Sequence, residues 1–258
     1  MDTALATVAD TFARDGHAVV GQLLTSAETA AYLAIYDRFL TGEIDAGDRR
    51  SDLGDGAARS DGAVENITQI MWPSVLCPEL LDLPLHDRAL AVARKLIGQD
   101  AELDFDMLIN KAPGTATVTP WHQDAAYWVK LPDRRAVSMW VALDEAVLDN
   151  GCMWYVTGSH ETPLRPHRPS GNGGRALECD CSEDEPGATP VPLAAGSAAV
   201  HAGGTLHYSR GNATSDRQRR AYILNFRPAA MIAMEREQGL DHGLTGNESK
   251  VRNTDAGA

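Results

Sequence analysis

The run Trp121-His122-Gln123-Asp124 sets an imidazole and a carboxylate two positions apart. On a β-strand such residues share a face, so both can aim at one ion. A second imidazole has to come from a distant strand. His207 is the best candidate, and His201, six residues earlier, is its competitor with a core or supporting role as the alternative. Two histidines and a carboxylate occupy one face of an octahedral metal and leave three positions for small molecules, the ligand set of non-haem Fe(II) oxygenases. A lone His-x-Asp is a weak signal, more often a surface or hydrogen-bonded strand pair than a metal site. Further on, Arg219 and Arg220 add a candidate seat for an acidic cosubstrate. A guanidinium is always charged and forked, which suits a carboxylate better than an ammonium does. Neighbours on a strand point opposite ways, so only one of the two can face an interior.

The elements that must position these groups can be read from periodicity. Leu5, Val8 and Phe12 recur at helical spacing before Gly16 supplies a stop, and His17 to Leu24 reads as a short strand. Thr25-Ser26-Ala27-Glu28 has capping-box spacing and opens a helix that buries Tyr32, Leu33, Tyr36, Phe39 and Leu40. Residues 41 to 63 are rich in Gly, Asp and Arg, which fits a surface loop or a lid. A second helix spans Leu85 to Ile97, with Leu85, Ala89, Val92 and Leu96 inward and Gly98 beyond its end. From Leu103 the period changes to two, through Phe105, Met107 and Ile109. Val137 to Leu143, Met153 to Val156, Val191 to Val200, Thr205 to Tyr208 and Ala221 to Phe226 are further strands. Residues 165 to 190 read as a polar insertion, and the tail from about Glu235 as frayed. Helices followed by many short strands predict a mainly β fold, a sandwich or barrel with helical buttresses. One domain over residues 1–258 is expected, helical to about residue 100, barrel over about 101–230 and polar tail over about 235–258.

A formal net charge of −13 argues against a nucleic-acid partner, which needs a basic face, and against anionic membranes. No stretch approaches a transmembrane length and no basic-apolar leader opens the chain, so a cytoplasmic protein is expected. The four cysteines fit a reduced setting. Cys179-x-Cys181 lacks the second pair that a zinc site needs and reads as two loop thiols.

The pieces Pro113-Gly114-Thr115, Trp121 to Asp124, Trp140 to Asp144, Asn150-Gly151-Cys152-Met153, Gly158-Ser159-His160 and His207-Tyr208-Ser209 with Asn212, Thr214, Arg219 and Arg220 agree in order. From about Phe105 to Phe226 the chain resembles the phytanoyl-CoA dioxygenase family of Fe(II)/2-oxoglutarate oxygenases. The resemblance implies a double-stranded β-helix, a jelly-roll, cupin-like barrel. It implies iron on His122, Asp124 and His207, 2-oxoglutarate on Arg219, Ser209 and Trp140, and O2 as co-reactant. Arg219 is favoured over Arg220, with the spacing from His207 about one residue longer than in some members. Thr157 departs from the usual proline before the Gly-Ser-His turn, where His160 has a structural role. Asp124 disfavours halogenation, because related halogenases replace that carboxylate with a small residue.

The implied activity is hydroxylation of an unactivated C–H bond of a small-molecule metabolite, with succinate and CO2 released; desaturation or ring closure use the same ligands. Lys111, Tyr127, Trp128, Met153 and Trp154 are candidate substrate residues, and Arg165, His167 and Arg168 suit an anionic one. Nothing marks a CoA ester. A homo-oligomer is compatible with the sequence. The competing readings are a cupin-like metalloenzyme without 2-oxoglutarate and a non-catalytic metal-binding barrel.

Overall fold

Punctuation residues set the first elements. The chain leaves its first helix at Gly16, whose φ of +77° and crowding against His160 exclude a side chain. The capping box forms: Glu28 N–H donates to Thr25 Oγ1 and Thr25 N–H to the Glu28 carboxylate, opening a helix that buries Tyr32, Ile35, Tyr36 and Phe39. The computed structural model describes residues 2–54, 65–170 and 176–245. Its elements are α1 (Asp2–Asp15), β1 (His17–Gln22), α2 (Ser26–Leu40), β2 (Arg50–Asp52), β3 (Ile67–Met71), α3 (Pro73–Leu76), α4 (Leu85–Ile97), β4 (Ala101–Lys111) and β5 (Thr119–His122). There follow β6 (Val137–Ala142), β7 (Met153–Val156), β8 (Arg168–Pro169), β9 (Leu177–Glu178), β10 (Ala188–Val191), β11 (Ser197–Ala202), β12 (His207–Ser209), β13 (Arg219–Pro228) and α5 (Ala229–Glu237).

Two antiparallel sheets stack as a jelly-roll barrel. The major sheet runs β1-β11-β6-β13-β4-β3-β2 and the minor sheet β10-β7-β12-β5. Alternation along β13 separates two cores. Tyr222, Leu224 and Phe226 face α1, α2 and α4 together with Leu108, Met139 and Val141; Ala221 and Ile223 face the barrel interior with Trp140, Met153, Tyr155 and Ala199. Each fully buried large apolar side chain contributes about 2 kcal/mol, so this shared cluster anchors the helical layer on the outer face of the major sheet. A third cluster, Trp121, Trp154, Val156, Leu206 and Tyr208, lies on the outer face of the minor sheet.

Four expectations change. The run Val191 to Val200 is not one strand: Pro192 and a left-handed Gly196 break it into β10 and β11, which join different sheets. The first hundred residues hold more strand than the expected β1: β2 and β3, which periodicity did not mark, extend the major sheet at its other end. The start of the 41–63 segment is ordered: Arg50 on β2 pairs with Glu65 and bonds Phe39 O, while residues 55–63 lie outside the described ones. The tail does not fray at Glu235. That residue is 1% exposed on α5, and Trp72 Nε1 holds the carbonyls of Asp241 and His242. Residues 246–258 lie outside the described ones. Among the described residues no helix is long and apolar enough to cross a membrane.

Candidate metal centre

Pairing of β12 with β5 sets His207 opposite His122, so the register alone brings two distant imidazoles together. The strand ends at His122. Gln123 stays extended and Asp124 opens a 3-10 turn, so the two-residue spacing still turns His122 and Asp124 to the same side. The ligand atoms of His122, Asp124 and His207 lie within 4.8 Å of one another. The imidazole centroids of His122 and His207 are 4.1 Å apart.

Backbone carbonyls fix the tautomers. His122 Nδ1 is 2.7 Å from Pro120 O, and His207 Nδ1 is 2.9 Å from Thr205 O. A carbonyl only accepts, so both protons sit on Nδ1 and both Nε2 atoms are bare. Those bare nitrogens face Asp124 Oδ1 at 3.7 and 3.5 Å. Three lone-pair donors converge with no proton between them, an arrangement that a cation resolves. Burial lowers the pKa of both imidazoles, His207 further because His122 and His201 crowd it. Burial alone would raise Asp124, but His207 and His201 outweigh it and hold the group as a carboxylate. Neutral imidazoles with a carboxylate are the protonation states that a divalent metal requires, so the donor set fits iron.

His201 stands apart from this triad. Its Nε2 is 3.1 Å from Asp124 Oδ2, the oxygen turned away from the other imidazoles, and Ser138 Oγ donates to the same oxygen at 2.6 Å. Gln123, fully buried, carries none of the metal-directed atoms. Its Nε2 donates to Gly204 O, its Oε1 accepts from Arg165 N–H, and its own N–H donates to His167 Nε2. Hence His167, an anion-contact candidate in the sequence, is a brace for the metal strand, and Arg165 and Arg168 pair with Glu185, Glu178 and Asp180.

Arg219 points inward and is 1% exposed. Its guanidinium lies over the Trp140 ring at 5.4 Å, and Nη2 donates to Ser209 Oγ at 3.2 Å. Its Nε is buried with no partner. Burial lowers its pKa to about 10, which still leaves it charged near neutrality. A buried donor left bare costs about 1–3 kcal/mol, more for a charged group, and a carboxylate would satisfy it. Arg220, on the other face of β13, bonds Asp144 and Asp37.

The candidate substrate residues are not brought to one place. Tyr127 sets its ring edge-on to His122 at 5.8 Å, while its hydroxyl accepts from Leu177 N–H. Met153 faces the interior cluster. Trp154 is its neighbour on β7 and therefore points out, under Arg210 at 5.2 Å. Trp128 packs against Gly203 and beneath Arg227. Lys111 changes role: its ammonium has three donors, and they reach the carbonyls of Thr117, Ser209 and Arg210 at 3.3, 3.2 and 2.7 Å, which leaves none for a substrate. Tyr155, which no motif marks, is inward by period two from Met153. It is buried 6.3 Å from the His207 ring and 5.3 Å from that of His201, with its hydroxyl unpartnered. His160 has its structural role, with Nε2 3.2 Å from Ala13 O.

A second cluster, Asp104, Glu235 and His242, has metal-ligand spacing. Arg227 already bridges its two carboxylates and Arg236 pairs with both, so it is an ion network.

Comparison with known proteins adds an independent line. A family profile described as Phytanoyl-CoA dioxygenase (PhyH) matches residues 12–221. The Bos taurus protein named phytanoyl-CoA dioxygenase domain-containing protein 1 is 32% identical over 145 residues, 54% of this chain and 50% of its own. The chain thus matches about half the length of such curated relatives. Among solved structures, EvdO2 from Micromonospora carbonacea var. aurantiaca complexed with 2-oxoglutarate superposes with a TM-score of 0.72 at 32% identity, covering 86% of this chain and 90% of that one. SnoN, a non-heme alpha ketoglutarate dependent epimerase from nogalamycin biosynthesis, gives 0.69 at 25% identity over 89% and 84%.

Proposed function

Since this chain belongs to the phytanoyl-CoA dioxygenase family, we propose that it is an oxygenase using Fe(II), 2-oxoglutarate and O2 to hydroxylate a C–H bond of a small molecule, releasing succinate and CO2. The reading rests chiefly on the two bare imidazole nitrogens facing Asp124 Oδ1 in the barrel that also buries the half-satisfied Arg219. His122, Asp124 and His207 would hold the iron, which together with 2-oxoglutarate and O2 supplies the oxidising chemistry when bound.

The protein's own work is placement. Ser209 follows His207 by two residues on β12, so it lies on the same face about 7 Å along the strand. That is the reach of a short diacid. Arg219 and Ser209 would take the far carboxylate, and Trp140 would cover its carbon chain and exclude water. Tyr127 and Met153 are the substrate-side walls that the geometry favours. With a net charge of −13, a small molecule is a better partner than a nucleic acid. A cupin-like enzyme without 2-oxoglutarate, or a non-catalytic barrel, would leave Arg219 a buried cation with no purpose.

The test is anaerobic titration with Fe(II) and 2-oxoglutarate, followed through the weak visible band of the chelate. The natural protein should give the band, and Arg219→Ala should weaken 2-oxoglutarate roughly 100-fold while keeping iron. Bound iron without the band would sink the proposal. A screen for succinate release then addresses the substrate, and the product's mass distinguishes hydroxylation from other outcomes.

A further inference from the structure

We propose that His201, Ser138 and Asn225 form a clamp that restricts Asp124 to one metal-facing oxygen. This rests on reading the triad as an iron site. The three residues make a row across the inner face of the major sheet, with His201 opposite Ser138 and Ser138 opposite Asn225. All are nearly inaccessible, at 3%, 1% and 1% exposure. Asn225 Nδ2 donates to Ser138 Oγ at 2.7 Å, which leaves the serine proton for Asp124 Oδ2 at 2.6 Å. His201 Nε2 reaches the same oxygen at 3.1 Å. Its Nδ1 is buried without a partner, so the proton belongs on Nε2 and His201 is a donor here.

The consequence is a division of labour within one carboxylate. An oxygen of this group has about two lone-pair sites, and two donors fill those of Oδ2. Only Oδ1 remains, on the side of His122 Nε2 and His207 Nε2. A free carboxylate can grip a metal with both oxygens and take two positions. The clamp limits it to one, and three positions stay open for the small molecules. Asn225 reaches the carboxylate through the serine hydroxyl, to which it donates, so it is a positioning residue.

The metal-free protein is titrated anaerobically with Fe(II), and separately with Co(II), against a competing chelator. Ser138→Ala should raise the metal dissociation constant roughly 10- to 100-fold, as loss of a ligand's supporting partner does elsewhere. Its melting temperature without metal should fall, because Asn225 Nδ2 is left buried without its acceptor, while the protein still folds, and Ser138→Thr should bind more tightly than Ser138→Ala. The Co(II) visible spectrum of Ser138→Ala should move toward that of a higher coordination number. Asn225→Ala should also weaken binding, and the double variant should be no weaker than Ser138→Ala alone. If Asn225→Ala does not fold, the two Ser138 variants decide. Unchanged metal affinity in Ser138→Ala, or additive losses in the double variant, overturns the clamp and leaves the iron site standing. A natural protein that takes up no Fe(II) overturns both.

Discussion

Adjacent on β13, Arg219 and Arg220 have different environments because a strand alternates. One guanidinium is sealed inside against Trp140 and Ser209; the other meets Asp144 and Asp37 on the opposite face. Arg220→Ala should therefore lower the melting temperature but leave 2-oxoglutarate affinity little changed; a loss as large as that in Arg219→Ala would show that the wrong neighbour carries the far carboxylate. Asp124 is the sole carboxylate of the triad. Asp124→Ala should abolish iron uptake and with it succinate formation, measured by metal analysis and turnover in parallel, and a full iron content with unchanged turnover would remove the assignment. At this scale the convergence of His122, Asp124 and His207 was legible in the sequence. Ser138 and Asn225 were not, because nothing local distinguishes a strand serine or asparagine that faces a metal ligand from one that faces solvent.

The segment after β7 is tied to the metal strand by atoms on both of its sides. Gln123 accepts from Arg165 N–H and donates to Gly204 O, His167 Nε2 accepts from Gln123 N–H, and Cys179 N–H donates to Trp121 O. What composition marks as an insertion is a brace. Gln123→Ala leaves two part-buried backbone groups without their side-chain partner, which costs on the order of 1 kcal/mol. It should show as a lower melting temperature and faster proteolytic nicking between residues 163 and 185, and a melt identical to the natural chain's would deny the brace. The long periodic elements were readable before the structure: α2 begins at its capping box and α4 covers Leu85–Ile97 as the spacing predicts. Short strands were less so. β3 and the break between β10 and β11 depend on which sheet each segment pairs with, and that choice is made by distant residues. The face of Trp154 was decidable in principle, since Met153 and Trp154 cannot both point inward.

Across the whole molecule, one buried ion network closes the chain. Asp104 on β4, Arg227 on β13, Glu235 and Arg236 on α5 and His242 beyond it meet, and Arg49 holds Leu244 O nearby. Burial opposes a charge on His242, but Asp104 and Glu235 outweigh it and raise its pKa above the ordinary 6.5. A group raised on folding contributes stability that is complete below its unfolded value and lost as pH climbs through the folded one. His242→Asn, a residue that tolerates the left-handed φ of +54°, should show a larger stability deficit against the natural chain near pH 6 than near pH 9. Equal deficits in melts at both values would show that the imidazole carries no charge there.

The division of the centre between the two sheets bears on how the chain reaches its working state. His122, His207 and Asp124 come from the minor sheet and its first turn; Ser138, His201, Asn225 and Arg219 come from the major sheet. Pairing β5 with β12 brings His122 and His207 together, whereas the donors that hold the Asp124 carboxylate come from the other layer. A substitution that loosens the stacking of the two sheets without touching a ligand should therefore weaken divalent-ion binding, and a metal titration of such a variant would report it.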